Sequence, residues 1–214
     1  MNIATREIFL STGTLALNAA RLNHLDHLQK KYSFSSAPYP LVVEPGCGIG
    51  LLTGWWEDEG YIVLSGDILP DNVQFNKDLH PWRRTRVRVW DAAVPSGGKF
   101  HIGFVYGLLY HVADPALVLQ NLSTTVRDIL LVETIVDWKD GTGLNEITQW
   151  EGHDQGLAGV AYRPSRDWVE EQMTQFGFKV EIPDKQPQHE AFPDPKSWPL
   201  PEGTMCRSVF VGTR

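Results

Sequence analysis

Hydrophobic and polar positions fall into two rhythms along this chain. Leu41-Val42-Val43-Glu44, Tyr61 to Gly66, Phe100 to Tyr106 and Asp128 to Val136 are short apolar runs of strand length. Between the first two, Leu51, Leu52, Trp55 and Trp56 recur at helical spacing and stop at Gly60. Pro70-Asp71 predicts a short helix ending before His80-Pro81, and Pro115 opens another through Leu117, Leu119 and Leu122. Arg84, Arg86 and Arg88 alternate with Thr85, Val87 and Val89, the pattern of an edge strand with one wet face. Ser165 can cap a helix through Trp168, Val169 and Phe176, followed after Gly177 by a strand from Phe178 to Ile182. Six prolines lie between Pro183 and Pro201, and Cys206 to Val211 reads as a seventh strand. With no helix between them, strands six and seven are expected to pair antiparallel, while the alternation before them implies an α/β parallel sheet covered on both faces.

Two stretches lie outside this alternation. Leu15, Ala19, Leu22, Leu25 and Leu28 recur every three or four residues without an intervening Pro or Gly, which predicts an amphipathic helix and marks residues 1–37 as a helical cap on a sheet domain over 38–214. Residues 137–163 are polar and spotted with Gly141, Gly143, Gly152, Gly156 and Gly159, a long stretch without a clear period and a natural second cap.

At 214 residues the chain has room for one domain with accessory pieces, and 42% hydrophobic residues are enough for a real core. Its 19 Lys+Arg against 26 Asp+Glu give a net charge of -7, which argues against nucleic acid as a partner. Two cysteines build no disulfide framework, and no run of about 20 apolar residues offers a membrane span. A cytoplasmic protein with no membrane or nucleic-acid partner is expected, acting on a small molecule; the oligomeric state is left open.

The chemistry concentrates where the first strand meets Pro45-Gly46-Cys47-Gly48-Ile49-Gly50. Glycines there allow a tight turn and close backbone approach, and the amides that follow favour an anionic group. Glu44-x-Gly46-x-Gly48-x-Gly50 is not the G-x-G-x-x-G spacing of dinucleotide folds. It resembles motif I of the class I S-adenosylmethionine-dependent methyltransferases. Asp67 and Ile68 after the second strand, and Asp91-Ala92 after the third, match the positions where that family holds the ribose hydroxyls and the adenine. Tyr106-Gly107-Leu108-Leu109-Tyr110-His111-Val112-Ala113-Asp114-Pro115 is similar to the strand-four segment of one large branch, which ends in Leu-Tyr-His-x-x-Asp-Pro. The resemblance spans residues 38–182. Asn18-Ala19-Ala20-Arg21-Leu22, the segment Tyr162 to Val169, and Gln186-Pro187-x-His189-x-x-Phe192-Pro193 look like flanking signatures of a bacterial subgroup.

The resemblance implies a Rossmann-like doubly wound seven-stranded sheet, parallel except for an antiparallel last strand. It also implies S-adenosyl-L-methionine as cofactor, held by Asn18, Arg21, Glu44, Gly46, Cys47, Gly48, Gly50, Asp67, Ile68, Asp91, Ala92 and Tyr106. Catalysis by such a protein is mainly proximity and alignment. A protonated nucleophile would add the need for a base, for which His111 is the first choice and Glu133 the second; each equally suits a structural role in its loop. Tyr110 and Tyr162 can offer a π-face to a cation or serve as core, and Arg21 can meet the donor's carboxylate or form a surface salt bridge. Cys47 reads as small packing.

No metal is expected: strand four ends in Tyr106-Gly107 rather than in ligating acids, and His24/His27 have no adjacent carboxylate cluster. The absence of Asn/Asp-Pro-Pro-aromatic after strand four argues against DNA-base amino methylation. Four functions stay open on this fold. They are methyl transfer to a small molecule, giving S-adenosyl-L-homocysteine; cyclisation of the cofactor to azetidine-2-carboxylate and methylthioadenosine; wobble-uridine modification of transfer RNA, which the acidic balance disfavours; and binding without catalysis, which the intact glycine turn disfavours.

Overall fold

The computed structural model describes residues 7–138, 143–148 and 160–214. Helix α1 (Thr12–Tyr32) precedes strand β1 (Leu41–Pro45), helix α2 (Thr53–Asp58), strand β2 (Ile62–Asp67), helix α3 (Pro70–Leu79) and strand β3 (Arg86–Val89). Strand β4 (Phe100–Tyr106), helix α4 (Pro115–Thr125) and strand β5 (Val126–Val136) follow. Then come β6 (Leu144–Thr148), β7 (Val160–Pro164), helix α5 (Arg166–Gln175), β8 (Lys179–Glu181) and β9 (Cys206–Thr213). Seven strands form one sheet in the order β3-β2-β1-β4-β5-β9-β8. Pairing is parallel from β3 to β5, and β9 runs antiparallel to both β5 and β8. This is the doubly wound, Rossmann-like sheet the alternation implies, with the strand order reversing between β1 and β4.

Period-two alternation assigns each strand's side chains to two separate cores. Val43, Val105, Leu130, Val132 and Phe210 face α4 and α5, while Val42, Phe104, Leu131, Val209 and Val211 face the other side, where Leu25 and Leu28 of α1 and Trp56 of α2 close the layer. Each such fully buried apolar side chain contributes roughly 1.5–3 kcal/mol. Three helices start on polar caps: Ser11 Oγ accepts from Thr14 N, Asp114 Oδ1 from Leu117 N, and Ser165 Oγ from Trp168 N, each cap worth about 1 kcal/mol.

Two sequence expectations change. The buried face of α1 runs through Asn18, Arg21, His24, Leu25 and Leu28, whereas Leu15 is 44% exposed and Ala19 is exposed. Apolar periodicity misses this because the first half of α1 lies over a polar rim and the second half over core. The stretch 137–163 contains an antiparallel pair, β6 with β7. It is tied to the end of β5 by Asp137 N donating to Pro164 O at 2.9 Å, and Ser165 N donates to Gly143 O at 2.8 Å. Most of the rest of that stretch lies outside the described residues. No helix among the described residues is long and apolar enough to cross a membrane.

Candidate active site

In an open parallel sheet the crevice lies beyond the carboxyl ends of the strands, where strand order reverses. Here that place is a cavity of about 460 Å³, within the ~300–1,000 Å³ usual for small-molecule sites. β1 delivers the glycine turn to it. Gly46 and Gly48 have φ of 70° and 53°, a region that disfavours side chains. A Cβ on Gly46 would stand 2.7 Å from Leu108, and one on Gly48 2.9 Å from the Phe9 ring. The turn is therefore closed on one side by the loop after β4 and roofed by the segment ahead of α1.

Beneath the turn, Glu44 is buried, and its Oε2 accepts from Thr53 Oγ1 at 2.7 Å and Ser65 Oγ at 3.0 Å. Burial pushes its pKa up to about 7 against the pull of those bonds. Cys47 N donates to Gly66 O at 3.0 Å, and burial raises its thiol well above the ordinary range, so it packs rather than reacts.

At the end of β2, Asp67 Oδ2 accepts from Gly48 N at 2.9 Å, and Oδ1 accepts from Leu69 N at 3.0 Å and Asn72 Nδ2 at 3.1 Å. Burial raises its pKa. A carboxylate has about four lone-pair sites, so three bonds leave capacity for a ligand hydroxyl. After β3, Asp91 accepts from Ala93 N at 2.9 Å, and Asn121 Nδ2 holds the Ala93 carbonyl at 2.8 Å. Ile68, Asp91 and Ala92 line the same cavity.

The opposite rim is charged. Tyr106 of β4 and Glu133 of β5 are register partners, and Arg207 of β9 sits diagonally beyond Glu133, whose own partner is Val209. Glu133 is 0% exposed. Its Oε2 accepts from Arg21 Nη2 at 2.5 Å and its Oε1 from Arg207 Nη1 at 2.9 Å. Arg21 Nη1 also reaches Asn18 Oδ1 at 2.8 Å, and Arg207 Nη2 reaches the Tyr110 hydroxyl at 3.0 Å. Burial alone would raise the Glu133 pKa, but the two guanidinium charges outweigh it and hold the carboxyl below its ordinary value. Each oxygen accepts from one guanidinium, and a carboxylate held ionised in this way is a weak base, so Glu133 serves as the anchor of two arginines.

His111 lies in a short 3-10 turn, its ring 4.1 Å from that of Tyr110. Burial, then the charge of Arg207, lower its pKa to about 4. The Tyr106 hydroxyl and Arg21 Nε are buried without a hydrogen-bond partner among the described residues. Both belong to residues that line the cavity.

Of the residues named from sequence, Asn18, Arg21, Glu44, Gly46, Cys47 and Gly48 border this cavity, as do Tyr106, Tyr110 and His111. Gly50 and Tyr162 do not. Gly50 packs behind the turn, where a Cβ would meet Asn76 at 2.4 Å and where its carbonyl accepts from Arg83 Nη1. Tyr162 sits on β7, opposite Glu146. Arg207, Phe9 and Leu108 are contributors that sequence reasoning missed. A lone arginine in the apolar run Cys206 to Val211 was the available signal for the first of them. No group of three His, Cys, Asp or Glu among the described residues can hold a metal ion, and His24 instead pairs through Nε2 with Lys185 O at 2.7 Å.

No family model matches the chain, and no curated protein does. Solved structures do. The N-terminal domain of EvdMO1 with SAH bound is similar with a TM-score of 0.69 at 18% identity, over 90% of this chain and 80% of that one. Magnesium protoporphyrin IX methyltransferase (ChlM) from Synechocystis PCC 6803 with bound SAM gives 0.67 at 13%, over 99% and 89%. A S-adenosylmethionine-dependent methyltransferase from Clostridium acetobutylicum ATCC 824 gives 0.65 at 9%, over 91% of each. This chain has the fold of those proteins.

Proposed function

We propose that the protein is an S-adenosylmethionine-dependent methyltransferase acting on a small-molecule acceptor. The observation that carries this reading is one cavity bordered by three successive strand ends. Each offers the group the donor requires: a left-handed glycine turn after β1, Asp67 with spare acceptor capacity after β2, and Asp91 with Ala92 after β3. The glycine turn is a cradle that a Cβ would fill. Asp67 would hold the ribose hydroxyls, Asp91 and Ala92 would border the adenine, and Arg21 with Asn18 would receive the amino-acid end of the donor. When bound, the donor supplies an electrophilic methyl on a sulfonium, leaving alignment as the main task of the protein.

The chain's own residues meet that task by fixing both ends of the cavity and excluding water with the Phe9 roof. His111 is neutral at pH 7, and a pKa of about 4 is far from the near-neutral optimum for proton transfer. Its part is to orient the acceptor, alongside Tyr110.

The test is calorimetric titration with S-adenosylmethionine and S-adenosylhomocysteine, followed by mass spectrometry of the protein incubated with S-adenosylmethionine alone. Saturable binding of both with no acceptor-free turnover supports the proposal. Absence of binding overturns it. Methylthioadenosine with azetidine-2-carboxylate above spontaneous breakdown would replace it with the cyclase.

A further inference from the structure

Among the described residues, the cluster around Glu133 carries one positive charge more than its own pairing uses. Arg21 and Arg207 share a single carboxylate, Glu133, and the three side chains are 8%, 13% and 0% exposed. Of their other neighbours in the cluster, Asn18, Tyr106 and His111 contribute no negative charge near neutral pH. A partly buried guanidinium without its own counter-ion is costly, and its planar fork suits a carboxylate.

The two guanidiniums meet at Glu133 but arrive from different sides of the cavity, one from α1 and one from β9. Arg21 comes from α1 and lies beside the turn after β4, where a Cβ on Gly107 would be 3.4 Å from its Nη2, next to β1 and its glycine turn. Arg207 comes from β9, three strands from β1 in the sheet order and on the half opposite the β1–β3 strand ends. At about 4.8 Å per strand the backbone of Arg207 is roughly 14 Å along the sheet from β1, and its side chain reaches back to the carboxylate that Arg21 also holds. The reversal of β9 is what brings the start of that strand, rather than its end, to the carboxyl edge of β5. Tyr110 then fixes the direction of the guanidinium, through the 3.0 Å bond to Nη2 and through a ring lying 5.0 Å from the guanidinium carbon.

We propose that Arg207, oriented by Glu133 and Tyr110, binds a carboxylate on the acceptor, so that the molecule methylated is a small organic anion. A single unmatched guanidinium charge fits a monoanionic carboxylate better than a phosphate dianion. The inference rests on the donor-and-acceptor reading of the cavity given above.

Its test uses the full-length protein loaded with S-adenosylhomocysteine and two matched probe pairs, acetate with acetamide and benzoate with benzamide, titrated at constant ionic strength and followed by calorimetry and thermal shift. The expected result is millimolar binding of at least one carboxylate and neither amide, weakened at least tenfold in Arg207→Gln while S-adenosylhomocysteine affinity is kept. Arg207→Lys retains the charge but not the fork; it should bind several-fold more weakly than wild type and serves if Arg207→Gln does not fold. Normal loading with no carboxylate binding overturns the inference and leaves the donor reading standing. Carboxylates that bind the free protein and are displaced by S-adenosylhomocysteine would assign Arg207 to the donor and overturn it too. Failure of S-adenosylhomocysteine to bind removes the donor reading, and the inference with it; acceptor-free turnover of S-adenosylmethionine removes the acceptor.

Discussion

On the β1–β3 side of the cavity, each ligand-facing group comes from the turn that directly follows its strand. On the β4–β5–β9 side, the groups come from segments far apart in the chain: Arg21 and Glu133 are 112 residues apart, and Arg207 and Tyr110 are 97 apart. The first side uses backbone amides and acids raised in pKa by burial, Glu44 to about 7 and Asp67 in the same direction. The second uses an acid held low by two arginines. Local turns suit a ligand whose shape is common to many proteins of a fold. A long-range ion network is where one chain can differ from another without disturbing the sheet.

The sharpest way to break this contrast is Glu133→Ala. It leaves two arginines without their carboxylate in a buried site, and a loss of about 3–5 kcal/mol is expected, read from urea unfolding. A loss below about 1 kcal/mol would mean that the network is not closed in solution.

The pH dependence of stability should separate the two sides by sign. Because the folded pKa of Glu44 is raised from 4.5 to about 7, its contribution is complete below its unfolded pKa and is lost as pH rises from about 4.5 through 7. Glu133 behaves oppositely: its folded pKa is lowered, so its contribution is present above its unfolded pKa and lost as pH falls through the folded value. Glu44→Gln should therefore flatten the decline between pH 4.5 and 7, a difference of roughly 3 kcal/mol at about 1.4 kcal/mol per pKa unit. Parallel curves for wild type and variant would remove the raised pKa from the account.

Asp67→Ala tests the local side directly. Losing a charged acceptor costs about 1.5–3 kcal/mol, so affinity for S-adenosylmethionine should fall roughly 10- to 150-fold by calorimetry. Unchanged affinity would pass the ribose to another residue. The smallest effect is expected for Tyr106→Phe, which deletes a buried hydroxyl that has no partner among the described residues. The ligand-free protein should gain up to about 1 kcal/mol while ligand binding weakens, because the deleted group is then one that only a ligand satisfies. A loss of ligand-free stability would reveal a partner within the protein.

The helix, strand and glycine-turn pattern from Leu41 to Val136 and from Ser165 to Ile182 was legible because each element there is specified by neighbours a few residues away. The same holds for Gly46, Gly48, Asp67 and Asp91, which sit at fixed offsets from strand ends. Gly50 was legible as part of the turn but not as its rear support, since only packing against Asn76 and Arg83 distinguishes the two roles. On α1 the pair Asn18 and Arg21 was legible as facing the cavity, whereas Leu15 and Ala19, which apolar periodicity put on the inward face, are exposed. The β6–β7 pair went unread because its short strands are set among glycines and polar residues.

The sequence by itself determined the sheet, its strand directions and the turn that opens the cavity, because alternation of apolar residues and positive-φ glycines act over a few residues. Only the tertiary structure decided that Arg21, Glu133, Arg207 and Tyr110 form one charged wall. Those residues come from four separate elements. They meet only because β9 reverses beside β5 and α1 crosses over the edge, burying charges that are stable in each other's company and nowhere else in the core.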